Sequence, residues 1–353
     1  MASNLGSDPN MYVVERTDGG VRISMPIDEE HDAQSNTKKR KTTAPDDDND
    51  DAIPETVLQY ERQMRKIQAA DRAGSPVTAD EHLRVIHDDA HIVVADKPSG
   101  VLSVPGVNHN PSLLTVVYEQ YGCESGVMDS MAVHRLDMDT SGLVTFAKTD
   151  FALKAMHEIF RERRVCKSYE ALLCGHLPFD EGIIDLPLQR DHRHPPFMRV
   201  STPKSNEAAA QAVQDLRDNG WTKIKMKNPK QSQTEFQVVS RETYGEDLPV
   251  TRVKYTPITG RTHQLRVHSA AIGHPIVADP TYGIYGEGHA NGGFDEADMS
   301  VMLSPNRASI SLQKDINKVV QEEGKCMCLH AKELSFVHPV TNKDMKFVAP
   351  TPF

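Results

Sequence analysis

Residues 131–145, MAVHRLDMDTSGLVT, place a short charged segment between two apolar runs. The charged segment holds His134, Arg135, Asp137 and Asp139, and a Ser-Gly pair follows it before a run that is typical of a buried strand. Charges flanked so closely by apolar residues are costly to bury unless they are paired. The stretch therefore predicts either a structural ion pair at a strand end or a reactive carboxylate.

Short apolar runs on both sides of this stretch predict a strand-rich fold. Helical spacing is found at residues 112–122 and 150–165, and Asp150 is the expected N-terminal cap of the second helix. Because strands and helices do not alternate regularly, we expect an α+β fold with an antiparallel or mixed sheet rather than a doubly wound one. The predicted strands lie at residues 83–88, 91–98, 142–149, 168–175, 232–244, 250–258 and 328–350.

Composition divides the chain into three parts. Residues 1–55 are polar and lack sustained periodicity, which predicts a disordered tail with acidic and basic runs. Residues 56–82 predict an outlying helix or a linker. Residues 83–353 form the predicted main domain, with insertions at about 205–231 and 286–325.

Charge is distributed unevenly between these parts. The formal net charge of the 353-residue chain is −10, of which residues 1–82 contribute −7 and the remainder −3. A near-neutral domain can still present a basic face to a polyanion. Within the tail, the KKRK tetrad at residues 38–41 is open to two interpretations, a nuclear-import signal or a solvated charge run.

Several classes of protein are disfavoured by composition. No run approaches the roughly 18 uncharged apolar residues that a membrane span needs, and no secretory signal opens the chain. We therefore expect a soluble intracellular protein in the cytoplasm, with the nucleus or an organelle as alternatives. The five cysteines include no C-x-x-C pair, so disulfides are not expected. Cys326 and Cys328 lack two further ligands at zinc spacing, so no metal site is predicted.

A second informative stretch, TPITGRTHQLRVHSAAIGHPIVADPTYG, occupies residues 256–283. Together with HRLDMDTSGLVTFAK (134–148), KSYEALLCG (167–175) and DKPSGVLSVPG (96–106), it resembles the RluA family of RNA pseudouridine synthases, which isomerise uridine in RNA to its C-glycoside. The motifs follow the family's order, and the resemblance covers about residues 83–353. It implies the family's fold, an eight-stranded mixed sheet with flanking helices and a central catalytic cleft.

The resemblance also implies roles for individual residues. Asp137 would be the catalytic carboxylate, Tyr169 would stack on the target base, and Arg266 would pair with Asp137. Arg135 would help to hold the distorted RNA, and Leu265 would pack beside the catalytic group. Two further residues of the second stretch are expected to shape the motif loop or to contact phosphate: Arg261 and His263.

The reaction makes these residue types intelligible. Uracil moves from an N1 to a C5 link without redox change or an added group, so no cofactor is expected. An ionised carboxylate can act at the sugar, either as a nucleophile at C1′ or by assisting a proton abstraction. We expect a bidentate pair with Arg266 to keep Asp137 ionised, and stacking on Tyr169 to recover roughly 1–3 kcal/mol of the cost of unstacking the base. Either this tyrosine or a water would take the C5 proton.

The expected partner is RNA. The branch that the chain resembles acts on tRNA anticodon stem-loops and on a large-subunit rRNA stem-loop, so a short stem-loop of tRNA or rRNA is the expected substrate of a monomeric enzyme. Many family members carry a basic RNA-binding module before the catalytic domain, and the acidic tail does not resemble one. Substrate choice is therefore expected to depend on the catalytic domain and its two insertions.

Alternatives remain for the function and for single residues. An RNA-binding protein or RNA-folding chaperone that keeps the cleft without catalysis is the main alternative, and a nucleoside hydrolase is disfavoured because it would need a second acid. Asp139 is the weaker candidate for the catalytic carboxylate, and His268 is expected to pack or cap. RDHRH (190–194) either contacts RNA or is a solvated loop. KIKMKNPK (223–230) predicts a basic strand that contacts RNA or an edge strand guarded by lysines.

Overall fold

The apolar runs form the centre of a large sheet in the computed structural model. The structure describes residues 11–26, 53–72, 76–106, 109–295, 299 and 307–353. Thirteen strands are found in these described ranges: β1 (Val13–Thr17), β2 (Gly20–Ser24), β3 (Arg84–Asp88), β4 (Ile92–Lys97), β5 (Ser141–Ala147), β6 (Cys166–Cys174), β7 (Glu181–Asp185), β8 (Leu188–Arg190), β9 (Met198–Val200), β10 (Gln233–Tyr244), β11 (Leu248–Pro257), β12 (Leu329–Val337) and β13 (Asp344–Val348).

Eleven of these strands form one mixed sheet. Their order is β1-β2-β7-β10-β11-β6-β12-β5-β4-β3, and β13 pairs with β12 outside this path. The β2–β7 and β5–β12 pairs are parallel and the others are antiparallel, while β8 and β9 form a separate hairpin. The α+β class and the largely antiparallel mixed sheet are confirmed. The described sheet has eleven strands rather than the eight that the resemblance implied.

Seven α-helices of the described chain flank the sheet. Thr149 caps α4, because its hydroxyl accepts a hydrogen bond from the amide of Ala152 at 3.3 Å. The prediction of Asp150 as the cap was wrong by one residue. The helices are α1 (Glu55–Arg72), α2 (Ala79–His82), α3 (Leu113–Tyr121), α4 (Asp150–Arg161), α5 (Pro203–Asp218), α6 (Gln264–Ala271) and α7 (Ile310–Glu323). None of the helices in the described ranges is long and apolar enough to cross a bilayer.

The first two strands correct the prediction for the tail. β1 and β2 form a hairpin, and β2 extends the sheet by pairing with β7. Val21 and Ile23 are buried, and Arg22 pairs with Asp185 of β7. This part of residues 1–55 is therefore ordered, contrary to the prediction, because two alternating apolar residues in a short strand give too weak a periodic signal. Most of the tail, including KKRK, lies outside the described residues.

Residues 56–82, for which an outlying helix or a linker was predicted, contain most of α1, and α1 packs against α5 of the first predicted insertion. Val57 is buried, and the ring of Tyr60 makes an edge-on contact with Trp221 at 4.8 Å between centroids. The basic strand predicted within 223–230 is not found, because that segment is irregular and forms one isolated bridge through Lys230. The second predicted insertion contains α7, and its residues 296–298 and 300–306 lie outside the described ranges.

The centre of the sheet brings the sequence motifs together. All seven residues of β5 are buried, which accounts for its largely apolar sequence. Gly142 of β5 has φ +110, and a Cβ there would lie 2.4 Å from the carbonyl oxygen of Ala331, so only glycine permits this close approach of β5 to β12. Because β5, β12, β6 and β11 are consecutive neighbours, the segments that adjoin them meet over one part of the sheet.

Candidate active site

A cleft of about 730 Å³ lies over this central part of the sheet. Its walls come from the loop before β5, from β6 and β12, and from the segment that joins β11 to α6. Small-molecule sites commonly have volumes of roughly 300–1,000 Å³, so the cleft can hold one nucleoside. The seven site residues predicted from the sequence all line it: Arg135, Asp137, Tyr169, Arg261, His263, Leu265 and Arg266.

Residues 96–103, DKPSGVLS, hold the loop that carries Asp137 by hydrogen bonds. Lys97 is fully buried, and its ammonium donates hydrogen bonds to three backbone carbonyls, including that of Met138 at 2.8 Å. The hydroxyl of Ser103 donates to the carbonyl of Leu136 at 2.8 Å and accepts from its amide at 3.0 Å. Burial lowers the pKa of Lys97 to about 7. These bonds fix the backbone on both sides of Asp137.

Arg266 makes its bidentate pair with Asp279, not with Asp137. Its Nε and Nη2 donate to the two carboxylate oxygens of Asp279 at 2.9 and 2.7 Å. The distance from Arg266 Nη1 to Asp137 Oδ2 is 3.7 Å, which exceeds a hydrogen bond. The predicted bidentate pair between Arg266 and Asp137 is therefore wrong. One edge of the guanidinium is already occupied by Asp279, and only Nη1 faces Asp137.

Asp279 is a site residue that the sequence reasoning missed. Its side chain is 1% exposed, and its Oδ1 also accepts hydrogen bonds from the amides of Thr281 and Tyr282 at 2.8 and 2.9 Å. The threonine hydroxyl in turn accepts from Arg266 at 2.7 Å. The only signal in the sequence was its place in the ADPTYG end of the second motif.

Three carboxylates surround the buried guanidinium of Arg266. Asp139 lies 3.7 Å from its Nη2, a distance equal to that of Asp137 from Nη1. Burial raises the pKa of Asp139, and the charges of Asp279 and Asp137 raise it further, against the lowering effect of Arg266 and Lys97. Burial alone would lower the pKa of Arg266, but the surrounding carboxylates outweigh burial and raise it. Of the three acids, Asp137 has the most exposed side chain.

His263 points toward Asp137 from the N-terminus of α6. It has a left-handed backbone with φ 54, and its Nε2 lies 3.9 Å from Asp137 Oδ1. The hydroxyl of Tyr282 accepts from the amide of Met198 at 2.9 Å and forms a second hydrogen bond, also of 2.9 Å, with His263 Nδ1. Burial lowers the pKa of His263, which favours a neutral ring. With the Tyr282 hydroxyl donating to Nδ1, the neutral ring would carry its proton on Nε2, on the side of Asp137.

Tyr169 and a group of cations complete the walls. Burial raises the pKa of Tyr169, and the charge of Asp137 raises it further, so the phenol stays protonated and able to donate. Three cations not singled out from the sequence also line the cleft, namely Arg161 at the end of α4, Arg163 and Lys167. Burial lowers the pKa of Lys167. A carboxylate, an aromatic ring and cations in one cleft suit a nucleotide with its phosphates.

His134, which lines the cleft, and His268, which is buried, have structural roles. The Nε2 of His134 accepts a hydrogen bond from the amide of Thr145 at 3.1 Å, and its ring stacks on Phe160. The Nε2 of His268 donates to the carbonyl of Leu186 at 3.0 Å, and its Nδ1 accepts from the hydroxyl of Thr234 at 3.0 Å. Burial lowers the pKa of His134 to about 3 and that of His268 to about 4. His268 packs inside the protein, as expected.

We expect the free energy of unfolding to fall as the pH decreases from about 6.5 to about 4.5. In this window the unfolded chain binds protons at His134 and His268, whereas the folded chain does not. Each such histidine lowers the free energy of unfolding by up to about 1.4 kcal/mol per pH unit. Urea unfolding at several pH values measures the slope. His268→Gln should reduce the slope by about one proton, and an unchanged slope would contradict the prediction.

Comparisons with known proteins agree with this arrangement. The profile of a family described as RNA pseudouridylate synthase matches residues 91–271. The chain is 35% identical over 277 residues to the dual-specificity RNA pseudouridine synthase RluA of Pasteurella multocida, which covers 78% of this chain and 95% of that protein. For RluA of Escherichia coli K12 the identity is 33% over 273 residues, with 77% and 94% of the two chains covered.

A solved structure supports the fold. Human RNA pseudouridylate synthase domain containing 1 superposes with a TM-score of 0.51 at 25% identity, over 79% of this chain and 87% of the human chain. The bacterial relatives are matched over nearly their whole length at more than 30% identity. The chain belongs to the RluA family of RNA pseudouridine synthases and is an isomerase that converts uridine in RNA to pseudouridine.

Proposed function

We propose that this synthase modifies uridines in short stem-loops of tRNA, of large-subunit rRNA or of both, and that Asp137 is its catalytic carboxylate. The observation that carries the assignment is the convergence of three distant sequence segments on one cleft around Asp137. The relatives from Pasteurella multocida and Escherichia coli are named dual-specificity enzymes, which supports two kinds of RNA substrate.

The proposed reaction begins with a uridine that leaves its stack and enters the cleft. Tyr169 stacks on the base and recovers part of the unstacking cost. Asp137 then acts at the sugar, either as a nucleophile that bonds to C1′ while the C1′–N1 bond breaks, or by assisting a proton abstraction. The uracil turns over and its C5 bonds to C1′, while the Asp137–C1′ bond breaks or, on the second route, the abstracted proton returns to the sugar. The C5 proton then leaves and N1 gains a proton, so that the product is an isomer of uridine.

The other residues support this carboxylate. Arg266 places a positive charge 3.7 Å from Asp137, and its pair with Asp279 fixes the plane of the guanidinium. We also assign a proton to Nε2 of His263, so that this N–H group faces Asp137 as well. We assign phosphate or sugar contacts to the cations at the mouth of the cleft, and a packing role beneath the base to Leu265. The cations concerned are Arg135, Arg161, Lys167 and Arg261.

The proposal also covers assembly and domain organisation. We propose a monomer, because one chain supplies every predicted site residue of the cleft. We propose residues 83–353 as the catalytic domain, with the insertions at about 205–231 and 286–325 adjusting which RNA is admitted. RNA substrates of this class support a location inside the cell, with the cytoplasm as the expected compartment.

Mapping of pseudouridine tests the substrate assignment. Unmodified tRNA and large-subunit rRNA transcripts are treated with the purified protein, and pseudouridine is located by mass spectrometry or carbodiimide mapping. We expect pseudouridine at one or a few stem-loop positions. Binding of both RNAs without product would favour the RNA-binding alternative, and release of free uracil would indicate a hydrolase. Either result would contradict the proposal.

A further inference from the structure

We propose that residues 221–232, here called the basic loop, form a second RNA-contact surface that continues the catalytic cleft and binds phosphates of the strand flanking the target uridine. The proposal rests on the RNA substrate class proposed above. It concerns the first insertion, which follows α5 and leads into β10.

The basic loop presents an unbalanced positive charge to solvent. Ile224 and Met226 are half-buried, while the lysines that alternate with them are exposed. Among the described residues, no carboxylate makes an ion pair with any lysine of the loop. Like charges held together repel one another, and a polyanionic partner relieves that repulsion. The four exposed lysines are Lys223, Lys225, Lys227 and Lys230.

Protection of a sheet edge does not account for these lysines. Lysines guard edge strands because such strands expose a row of unpaired backbone groups. In the described structure, residues 221–232 are irregular, and their only ladder contact is the single bridge between Lys230 and Leu188. Lys223, Lys225 and Lys227 therefore lie on no strand. This part of the described chain has no strand edge that the three lysines could protect.

The basic loop is nevertheless held in a defined position. Arg217 Nε donates to the carbonyl of Ile224 at 2.8 Å, and the amide of Ile224 donates to the carbonyl of Trp221 at 3.1 Å. At the other end, Lys230 and Leu188 exchange two backbone hydrogen bonds of 2.8 and 2.9 Å. A surface that is already ordered loses less conformational entropy when it binds a partner.

The basic loop is continuous with the catalytic cleft. Arg261, which lines the cleft, donates from Nε to the carbonyl of Gln231 at 3.2 Å. The amide of Gln233 donates to the hydroxyl of Thr259, another lining residue, at 2.9 Å. Arg261 at the rim of the cleft is thus followed by Lys230, the residue before Gln231, and then by the other lysines of the loop.

The neighbouring hairpin β8–β9 supports the loop and adds to its charge. Asp191 and His192 of the RDHRH segment are 3% and 5% exposed, so this part of the segment is not a solvated loop. Burial lowers the pKa of His192, and the charges of Arg190 and Lys227 act in the same direction, which places both cations within electrostatic reach of its ring. The bridge between Leu188 and Lys230 joins the hairpin to the loop, and Arg190 follows Leu188 by two residues in β8.

Salt-dependent binding of total tRNA tests the proposal. In the full-length chain, Lys225→Gln, Lys227→Gln and Lys230→Gln are combined. The matched control combines Lys314→Gln, Lys325→Gln and Lys343→Gln, three exposed lysines that line neither the cleft nor the loop. Loss of three phosphate contacts should reduce the slope of log affinity against log salt by about 2 and weaken binding by about tenfold or more near 0.1 M salt. The control should bind within about twofold of the wild type, since its lysines make no proposed phosphate contact.

A third variant separates charge from side-chain shape. Lysine-to-arginine substitution at positions 225, 227 and 230 keeps the charge and should preserve the salt slope and the affinity. An unchanged slope in the glutamine variant, or an equal loss in the arginine variant, would overturn the proposal. Urea unfolding should give the wild-type stability for all three variants, because every replaced lysine is exposed.

Catalysis and RNA binding are measured separately. The substrate assignment and the role of the basic loop can therefore fail independently. All binding measurements are repeated in the Asp137→Asn background, where no product forms. At saturating RNA the glutamine variant should retain the wild-type kcat and lose only kcat/KM. If the wild type binds total tRNA with the full slope but makes no pseudouridine in tRNA or rRNA, the substrate assignment fails while the loop remains a phosphate-binding surface.

Discussion

Replacing Asp137 by asparagine is expected to lower kcat for pseudouridine formation by about 10⁴-fold or more, the scale seen when a central catalytic group is removed. An amide is not ionised, so it neither attacks C1′ nor accepts a proton there. RNA affinity should change little, because asparagine keeps the shape of a side chain that is 24% exposed at the cleft surface. Single-turnover rates with a stem-loop substrate measure the loss, and filter binding measures the affinity.

Asp139→Asn is the matched control for this prediction. It makes the same substitution two residues away, at the same 3.7 Å distance from Arg266. Asp139 lies beside Nη2 of Arg266 rather than the Nη1 that faces Asp137, so this substitution leaves the Asp137 carboxylate in place. We expect its kcat to stay within about tenfold of the wild type, which corresponds to about 1.4 kcal/mol in activation free energy. The reverse result, an active Asp137→Asn and an inactive Asp139→Asn, would exchange the two assignments.

Replacing Asp279 by asparagine is expected to lower the free energy of unfolding by about 3–5 kcal/mol, because it leaves the buried charge of Arg266 without its main partner. The two side chains are 1% and 2% exposed and share two hydrogen bonds. The carboxylate also accepts hydrogen bonds from the amides of Thr281 and Tyr282, and the variant would weaken both bonds. Urea denaturation measures the change.

Asp180→Asn is the control for burial. Asp180 also forms an ion pair, with Arg241 at 2.8 Å, but its side chain is 85% exposed. Exposed ion pairs contribute about 0–1 kcal/mol, so this variant should stay close to wild-type stability. Equal stabilities for the two variants would contradict the role of Asp279. In Asp279→Asn, kcat should also decrease, because the guanidinium is no longer held in the plane that faces Asp137.

The central strands were predictable because they are buried on both faces. β4 and β5 appear in the sequence as nearly unbroken apolar runs, and both were predicted close to their observed bounds. The strands that were missed are short and partly exposed. β1 has one half-buried residue and four exposed ones, so its periodic signal is weak, and its place in the sheet depends on β2 and β7.

The membership of the site was predictable, but its internal pairing was not. The motifs contain Asp137, Tyr169 and Arg266, and the fold brings these three residues into one cleft. The sequence also contains Asp139 and Asp279 within the same motifs, and nothing in their spacing shows which acid meets the guanidinium edge. Arg266 Nε lies 2.9 Å from Asp279 Oδ2, whereas Arg266 Nη1 lies 3.7 Å from Asp137 Oδ2. Only the folded structure sets a difference this small between the two distances.

The sequence by itself determined the family, the largely antiparallel mixed sheet, the reaction and the residues that line its cleft, because apolar runs and long motifs are local features of the chain. The tertiary structure alone decided that Asp279 holds Arg266, that β2 extends the sheet beside β7, and that Arg261 of the cleft contacts Gln231 of the basic loop. In each case the two partners are not paired by any local pattern in the sequence. Packing of the whole domain brings them together and sets the distances between them.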